Sequence, residues 1–507
     1  MVANGMKGLM SNAAAKAWLV VVGIGLVVVL AVIVLSLIPR LGGGQDVIDG
    51  ASPAMSEDQI AGERAGLDFI SDYVELADPL MTARGGAAAE VPKLLALVAG
   101  RSGLSPRQVR AALRREAPHT EALLRALPLS AITREAPGLQ SFLTQTLNLS
   151  SVQVEEALSE SFPKLSETLA AIVPLGNAWN EIPRPFERFD GSPVRTVPEL
   201  RDYLRDDLVA AVARHGEDFR EAESKGGIGY IPWLLLIVGI AVLAFGLRQA
   251  ILAKSSGPRS RRAWTVVVAV GIVLLGLIVV LSYFPRMSAA DRVVDGLEPA
   301  FTQDRVEGVR EGIELVHEAI RFGDPIVTAT GGGAAEVPRL LKFISDRTGL
   351  SKGEILDRLR RRAPRTTAVL EVLPLKGVGD EVPHLLAYLA KRMRMSGNRL
   401  LLTLRKGAPG ITQALENATA VTTSWNAIPG TADLKRFDGD SAVRTMPELD
   451  DYLRSDVIPV LSDQRDNFDR LAHTWPPLPY LPPLLLVIGA LTLLYGLFGT
   501  FALASTE

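Results

Sequence analysis

Five histidines, His119, His215, His317, His384 and His473, are the side chains of this chain best suited to metal binding or proton transfer, and their spacing supports neither. No two stand three or four residues apart, as ligands on one helical face would, and a metal site needs clustered ligands held by a second shell. With no cysteine in 507 residues, thiol catalysis, disulfides and thiolate metal sites are excluded. Asp438-Gly439-Asp440-Ser441 has the opening of a calcium loop but no glutamate at its twelfth position. The related Asp190-Gly191-Ser192-Pro193 reads as an Asp-Gly turn. Gly331-Gly332-Gly333 is not followed by the Lys-Ser or Lys-Thr of a phosphate cradle, and the chain holds no nucleophile elbow. The sequence therefore predicts no catalytic residue, no cofactor and no metal.

What remains is charge. Arg107, Arg110, Arg114 and Arg115 form one basic run, and Arg358, Arg360, Arg361, Arg362 and Arg365 form another. Such runs are ordinarily solvated faces; here they are also the candidate contacts for a protein partner or an anionic surface. A net charge of -2 gives no bulk attraction to nucleic acid. A third basic set, Arg248, Lys254, Arg259, Arg261 and Arg262, sits between two apolar runs and acts as a topology determinant.

The elements that carry these residues begin with four uncharged apolar runs, 17–38, 230–247, 264–284 and 480–503. Each is close to the ~20 residues that cross a bilayer. The basic loop 248–263, with Lys7 and Lys16 ahead of the first run, places 1–16, 248–263 and 504–507 in the cytoplasm. Segments 39–229 and 285–479 are then both extracytoplasmic, and Tyr230, Trp233, Trp475 and Tyr480 suit the outer interface. The abundance of Arg over Lys and the Ala, Val and Leu richness are associated with GC-rich bacterial sequences, and the expected location is the bacterial plasma (inner) membrane.

The chain repeats itself. Trp18 recurs as Trp264, Asp78-Pro79 as Asp324-Pro325, Glu90 as Glu336, Pro118 as Pro364 and Trp179-Asn180 as Trp425-Asn426, all 246 positions on. Two spans per copy keep the halves parallel in the membrane. A second period of 45 is nested inside, from about 87 to 175, where Pro92, Ser105, Val109, Leu113 and Pro118 return as Pro137, Ser150, Val154, Leu158 and Pro163. That period suggests stacked helical hairpins.

Local signals are helical. Ser105 with Gln108, Ser150 with Gln153, Ser351 with Glu354, Thr196 with Glu199 and Thr445 with Glu448 are capping boxes. A further helix is expected from Ser56, capped with Gln59, to about Leu76, and the helix after Thr196 should carry Leu200, Tyr203, Leu204, Leu208 and Val212 inward. No useful strand alternation occurs. The expected fold is an all-α membrane protein with four transmembrane helices and two tandemly duplicated helical extracytoplasmic domains, 39–229 and 285–479. Gly226-Gly227 joins the first domain to its span and Pro476-Pro477 the second.

The spans hold no charge of the kind that marks an ion path, and Gly239, Gly246, Gly489 and Gly496 suggest close helix packing. The expected function is a non-enzymatic multi-pass scaffold or accessory subunit of a cell-envelope complex. Its expected partners are membrane lipids and an envelope protein, with a homo-oligomer possible and no nucleic acid. The alternative is an accessory subunit for lipid or amphiphile transport, which would require an apolar groove.

Overall fold

The computed structural model describes residues 13–82, 86–224, 229–255, 261–280, 282–328, 332–439, 441–473 and 476–504. In the first half the helices are α1 (Ala13–Val34), α2 (Leu37–Ala51), α3 (Glu57–Met81), α4 (Ala87–Ser102), α5 (Pro106–Glu116), α6 (Pro118–Ala126), α7 (Ala136–Leu147), α8 (Ser151–Ser161), α9 (Pro163–Ala178), α10 (Val197–Asp202), α11 (Ala210–Glu223) and α12 (Ile231–Ser255). The second half follows with α13 (Arg261–Val280), α14 (Tyr283–Leu297), α15 (Gln303–Val327), α16 (Gly333–Thr348), α17 (Lys352–Arg362), α18 (Pro364–Val372), α19 (Lys376–Arg392), α20 (Gly397–Gly407), α21 (Pro409–Ser424), α22 (Met446–Tyr452), α23 (Ile458–His473) and α24 (Leu481–Ala504). The fold is almost wholly helical, as expected; Phe186↔Val194 and Glu187↔Pro193 pair in a two-residue antiparallel ribbon around the Asp190-Gly191 turn.

Among the described residues, four helical stretches are long and apolar enough to cross a membrane: Ala15–Val34, Ile231–Ala253, Arg262–Val280 and Leu478–Phe501. The first ends earlier than its apolar run because Ser36 adopts a left-handed conformation (φ 48°) and redirects the chain into α2; Ser282 (φ 48°) does the same before α14.

The chain divides into two compact units, and neither coincides with 39–229 or 285–479. One comprises Met1–Glu57, Ala211–Gln303 and Val460–Glu507; the other comprises Asp58–Ala210 and Asp304–Pro459. Each unit draws on both halves of the sequence.

In the first unit, α1 packs on α12 and α13 on α24 through glycines. A Cβ on Gly25 would lie 2.5 Å from the Leu243 nitrogen, and one on Gly271 2.6 Å from the Leu493 nitrogen, so only glycine permits these approaches. Gly239, Gly246, Gly489 and Gly496 face Val28, Val22, Leu275 and Val268 in the same two seams. Trp18 and Trp264 stack at 4.4 Å. Beyond the spans, the buried Arg40 of α2 donates to the Pro476 and Leu471 carbonyls, and the buried Arg286 of α14 donates to the Ala222 carbonyl. Each half thus supplies a guanidinium to carbonyls at or just beyond the C-terminal end of a helix of the other half, α23 for Arg40 and α11 for Arg286.

In the second unit the five expected capping boxes are all formed. Helix α3 does not stop at Leu76 but runs through Pro79 to Met81, and its counterpart α15 runs through Pro325 to Val327. Gln59 donates to the Lys435 carbonyl and the Tyr452 hydroxyl. After Thr196, Leu200, Tyr203, Leu204 and Leu208 are buried as expected, but Val212 is only half-buried and Ala211 takes the inward place. The cause is a π-helical stretch, Tyr203–Val209, whose wider turn rotates the apolar stripe; Leu453–Val457 repeats it. Trp179 and Trp425 are both fully buried, donating through Nε1 to Asp78 at 2.8 Å and to Asp324 at 2.9 Å.

Candidate functional site

The arginines singled out by sequence lie on two matching helices. Arg107, Arg110, Arg114 and Arg115 are exposed on α5, and Arg358, Arg360, Arg361 and Arg362 are exposed on α17, opposite the buried Leu113 and Leu359. They are not equivalent chemically. Arg360 binds Asp357 and Glu371, while Arg365 of α18 is half-buried and donates to Glu135 and to the Leu127 carbonyl. Glu371 also receives Arg125 at 2.5 Å; although burial pushes its carboxyl up, the Arg125 and Arg360 hydrogen bonds hold it below the usual range. Arg114 lies 3.6 Å from the buried Glu121 and Arg115 pairs with its neighbour Glu116. Arg107, Arg110, Arg358, Arg361 and Arg362 make no ion pair among the described residues.

Of the topology residues, Arg248 and Lys254 lie within α12, Arg261 opens α13 and Arg262 follows it, exposed. Arg259 lies outside the described residues, as do Lys7, Gly226, Gly227, Gly331, Asp440 and Trp475.

Among the described residues no group of three or more histidine, aspartate and glutamate side chains could hold a metal. His119 contacts the Val372 carbonyl, His215 lies near Asp218, His317 pairs with Asp450 at 2.6 Å beneath Arg454, and His384 and His473 are exposed. The two Asp-Gly motifs form turns. Gly191 and Gly439 take φ of 83° and 82°, Asp190 accepts from Ser192 and Asp438 from Ser441. Phe189 and Phe437 meet Tyr203 and Tyr452 edge-on.

The most regular polar feature is one that sequence reasoning missed. Helices α6, α9, α18 and α21 each begin with proline after Ala117, Phe162, Ala363 or Ala408, and none of these preceding residues can cap through its side chain. Their first free N–H groups would be orphaned in the interior. A distant glutamate serves each one. Glu381 accepts from the His119 and Thr120 amides at 2.9 and 2.8 Å, and Glu336 from Leu165 at 2.9 Å. Glu135 accepts from Arg365 and Thr366, both at 2.9 Å, and Glu90 from Ile411 at 2.9 Å. The arrangement is reciprocal: α4 caps α21 while α19 caps α6, and Glu135, just ahead of α7, caps α18 while α16 caps α9. A negative charge at a helix N-terminus also complements the helix dipole. The signal was present as Glu-x-Pro at Glu90, Glu135, Glu336 and Glu381, obeying both the 45 and the 246 spacing.

A second polar cluster lies at Tyr452, where the matching Tyr203 hydroxyl finds no hydrogen-bond partner among the described residues. The Tyr452 hydroxyl donates to Glu63 and receives Gln59 at 3.1 Å. Burial raises the Glu63 carboxyl to about 7, with the Tyr452 hydrogen bond opposing. A carboxyl whose pKa is raised by folding adds stability below its ordinary pKa near 4.5, and that stability is lost as pH rises through about 7. Glu63→Gln should therefore gain on the wild type between pH 5 and pH 8, by up to about 3 kcal/mol. Thermal unfolding of both proteins across that range checks it; a constant difference would refute the assignment.

The apolar cavities among the described residues of the second unit include two of note. One, of about 40 Å³, is lined by residues including Tyr73, Met81, Trp179 and Phe322; the other, of about 50 Å³, by residues including Leu143, Leu165, Phe322 and Ile344. Both are smaller than the ~150 Å³ apolar cavity that accommodates benzene. No protein-family model, curated protein or solved structure matches the chain.

Proposed function

We propose that this is a non-enzymatic, multi-pass scaffold or accessory subunit of a bacterial cell-envelope complex, anchored in the plasma (inner) membrane with both termini cytoplasmic. Its duplicated helical segments 39–229 and 285–479 are extracytoplasmic. The observation that carries this reading is the allocation of polar groups. Glu90, Glu135, Glu336 and Glu381 are committed to helix ends, while Arg107, Arg110, Arg358, Arg361 and Arg362 stay exposed and make no ion pair among the described residues. The two apolar cavities of about 40 and 50 Å³ are smaller than an acyl chain needs, which favours the scaffold reading over lipid handling.

Because each compact unit uses both halves, deleting one half would remove part of a shared core. Substitution is the cleaner test. Arg358, Arg361 and Arg362 changed together to glutamine should weaken association with an acidic partner roughly tenfold, about 1.4 kcal/mol, with little change in melting. Co-purification from solubilised membranes at moderate salt measures it, and unchanged recovery would sink the reading. Arg360 is left intact, since its loss would strip Glu371 of a partner. Sidedness has its own check. Reporters fused after Ser255 should be active only if cytoplasmic reporters, and those near Gly103 or Gly349 only if exported ones; the reverse pattern would overturn the topology.

A further inference from the structure

Helices α8 and α20 occupy matching positions in the two halves, yet carry opposite charge. Helix α8 holds Glu155, Glu156 and Glu160 with no basic residue, and α20 holds Arg399, Arg405 and Lys406 with no acidic one. All six are exposed. The three glutamates, Arg399 and Lys406 make no ion pair among the described residues, and Arg405 contacts Glu416 across an exposed gap of 3.0 Å. Each helix also projects one large apolar side chain into water: Val152 is 70% exposed and Leu402 66% exposed. Neither can turn inward. Leu400 and Leu404, one helical turn apart, already fill the core face of α20, which points Leu402 the other way, and Val154 fills that role in α8.

We propose that this chain self-associates head to tail, the acidic α8 of one copy docking on the basic α20 of the next. An apolar residue rimmed by charge is the anatomy of an interface centre. Here the complementary face stands at the equivalent place on the same molecule, which makes a second copy the fitting occupant. Such a contact is heterologous, so every added copy leaves one acidic and one basic face unfilled and the assembly extends or closes into a ring. The proposal goes beyond the partner surface on α5 and α17 and uses none of its residues.

The absence of cysteine makes the test direct. In full-length protein in native membranes, Val152→Cys and Leu402→Cys placed in one chain should give, on mild oxidation, a disulfide ladder extending past the dimer. Either change alone should give no dimer. Reversing Glu155, Glu156 and Glu160 to lysine, or Arg399, Arg405 and Lys406 to glutamate, should cut the ladder about tenfold. Mixing the two reversed proteins, or combining both reversals in one chain, should restore it, which separates lost contact from lost folding. Monomers throughout, a ladder indifferent to reversal, or dimers of the Val152→Cys protein alone would each overturn the proposal.

Discussion

Trp425→Ala is expected to lower the unfolding midpoint of the whole second unit, not of one half. The indole is fully buried, meets Tyr73 edge-on at 5.3 Å and Phe69 at 6.4 Å, and holds Asp324 through Nε1. Truncating a tryptophan in such a site costs about 3–5 kcal/mol, because the lost burial is joined by a cavity the surroundings cannot fill. Tyr73 and Phe69 come from the first half, so the damage crosses the repeat. Trp179→Ala, which leaves Asp78 without its indole donor, should behave alike. A midpoint lower by roughly 10 °C in a single transition is the expected result for each. Two separate transitions, with only one moved by each substitution, would mean that the halves fold independently. Trp425→Phe should cost less, about 1–2 kcal/mol, since ring packing is largely kept and Asp324 still accepts from Thr328.

What could be read from sequence divides by range. Ser105, Ser150 and Ser351 cap their own helices three residues away, so the box is complete within the segment that displays it. Apolar runs and their flanking charges are local in the same sense. The 45 and 246 spacings were also legible. Which repeat would pack on which was not, because that choice lies in tertiary contacts: Gly62 faces Leu434, and Gly308 faces Phe186, with too little room for a Cβ at either glycine. These glycines carry no turn signal, and only the paired structure explains them. The π-helical stretches after Asp202 and Tyr452 were equally hidden, since one wide turn leaves no mark on composition while shifting every later side chain. The exposed arginines looked uniform in sequence. Their division into structural pairs, as for Arg360 and Arg365, and open ones, as for Arg361 and Arg362, depends on acids up to 230 positions away.

The glutamate caps make the sharpest claim about how the halves hold together. Glu381→Ala would leave the His119 and Thr120 amides without the acceptor that proline and alanine at the start of α6 cannot replace. Losing hydrogen bonds to a charged group in the interior costs about 1.5–3 kcal/mol, and stranding two donors adds to it, so about 2–4 kcal/mol is expected. Glu135→Ala, Glu336→Ala and Glu90→Ala should fall in the same range, with Glu90 least, since among the described residues it accepts from a single amide, that of Ile411 at 2.9 Å. Glutamine at these positions keeps one acceptor and should lose less than half as much. The reciprocal layout then makes a prediction that helix capping alone would not. Glu90 and Glu381 brace one pair of modules and Glu135 and Glu336 the other, so Glu90→Ala with Glu381→Ala should couple, whereas Glu90→Ala with Glu135→Ala should add. Denaturant unfolding of the solubilised full chain measures each corner of both cycles. Singles within about 0.5 kcal/mol of wild type, a size usual for plain surface changes, would show that the carboxylates are bystanders; equal coupling in both cycles would show that the modules do not pair as described.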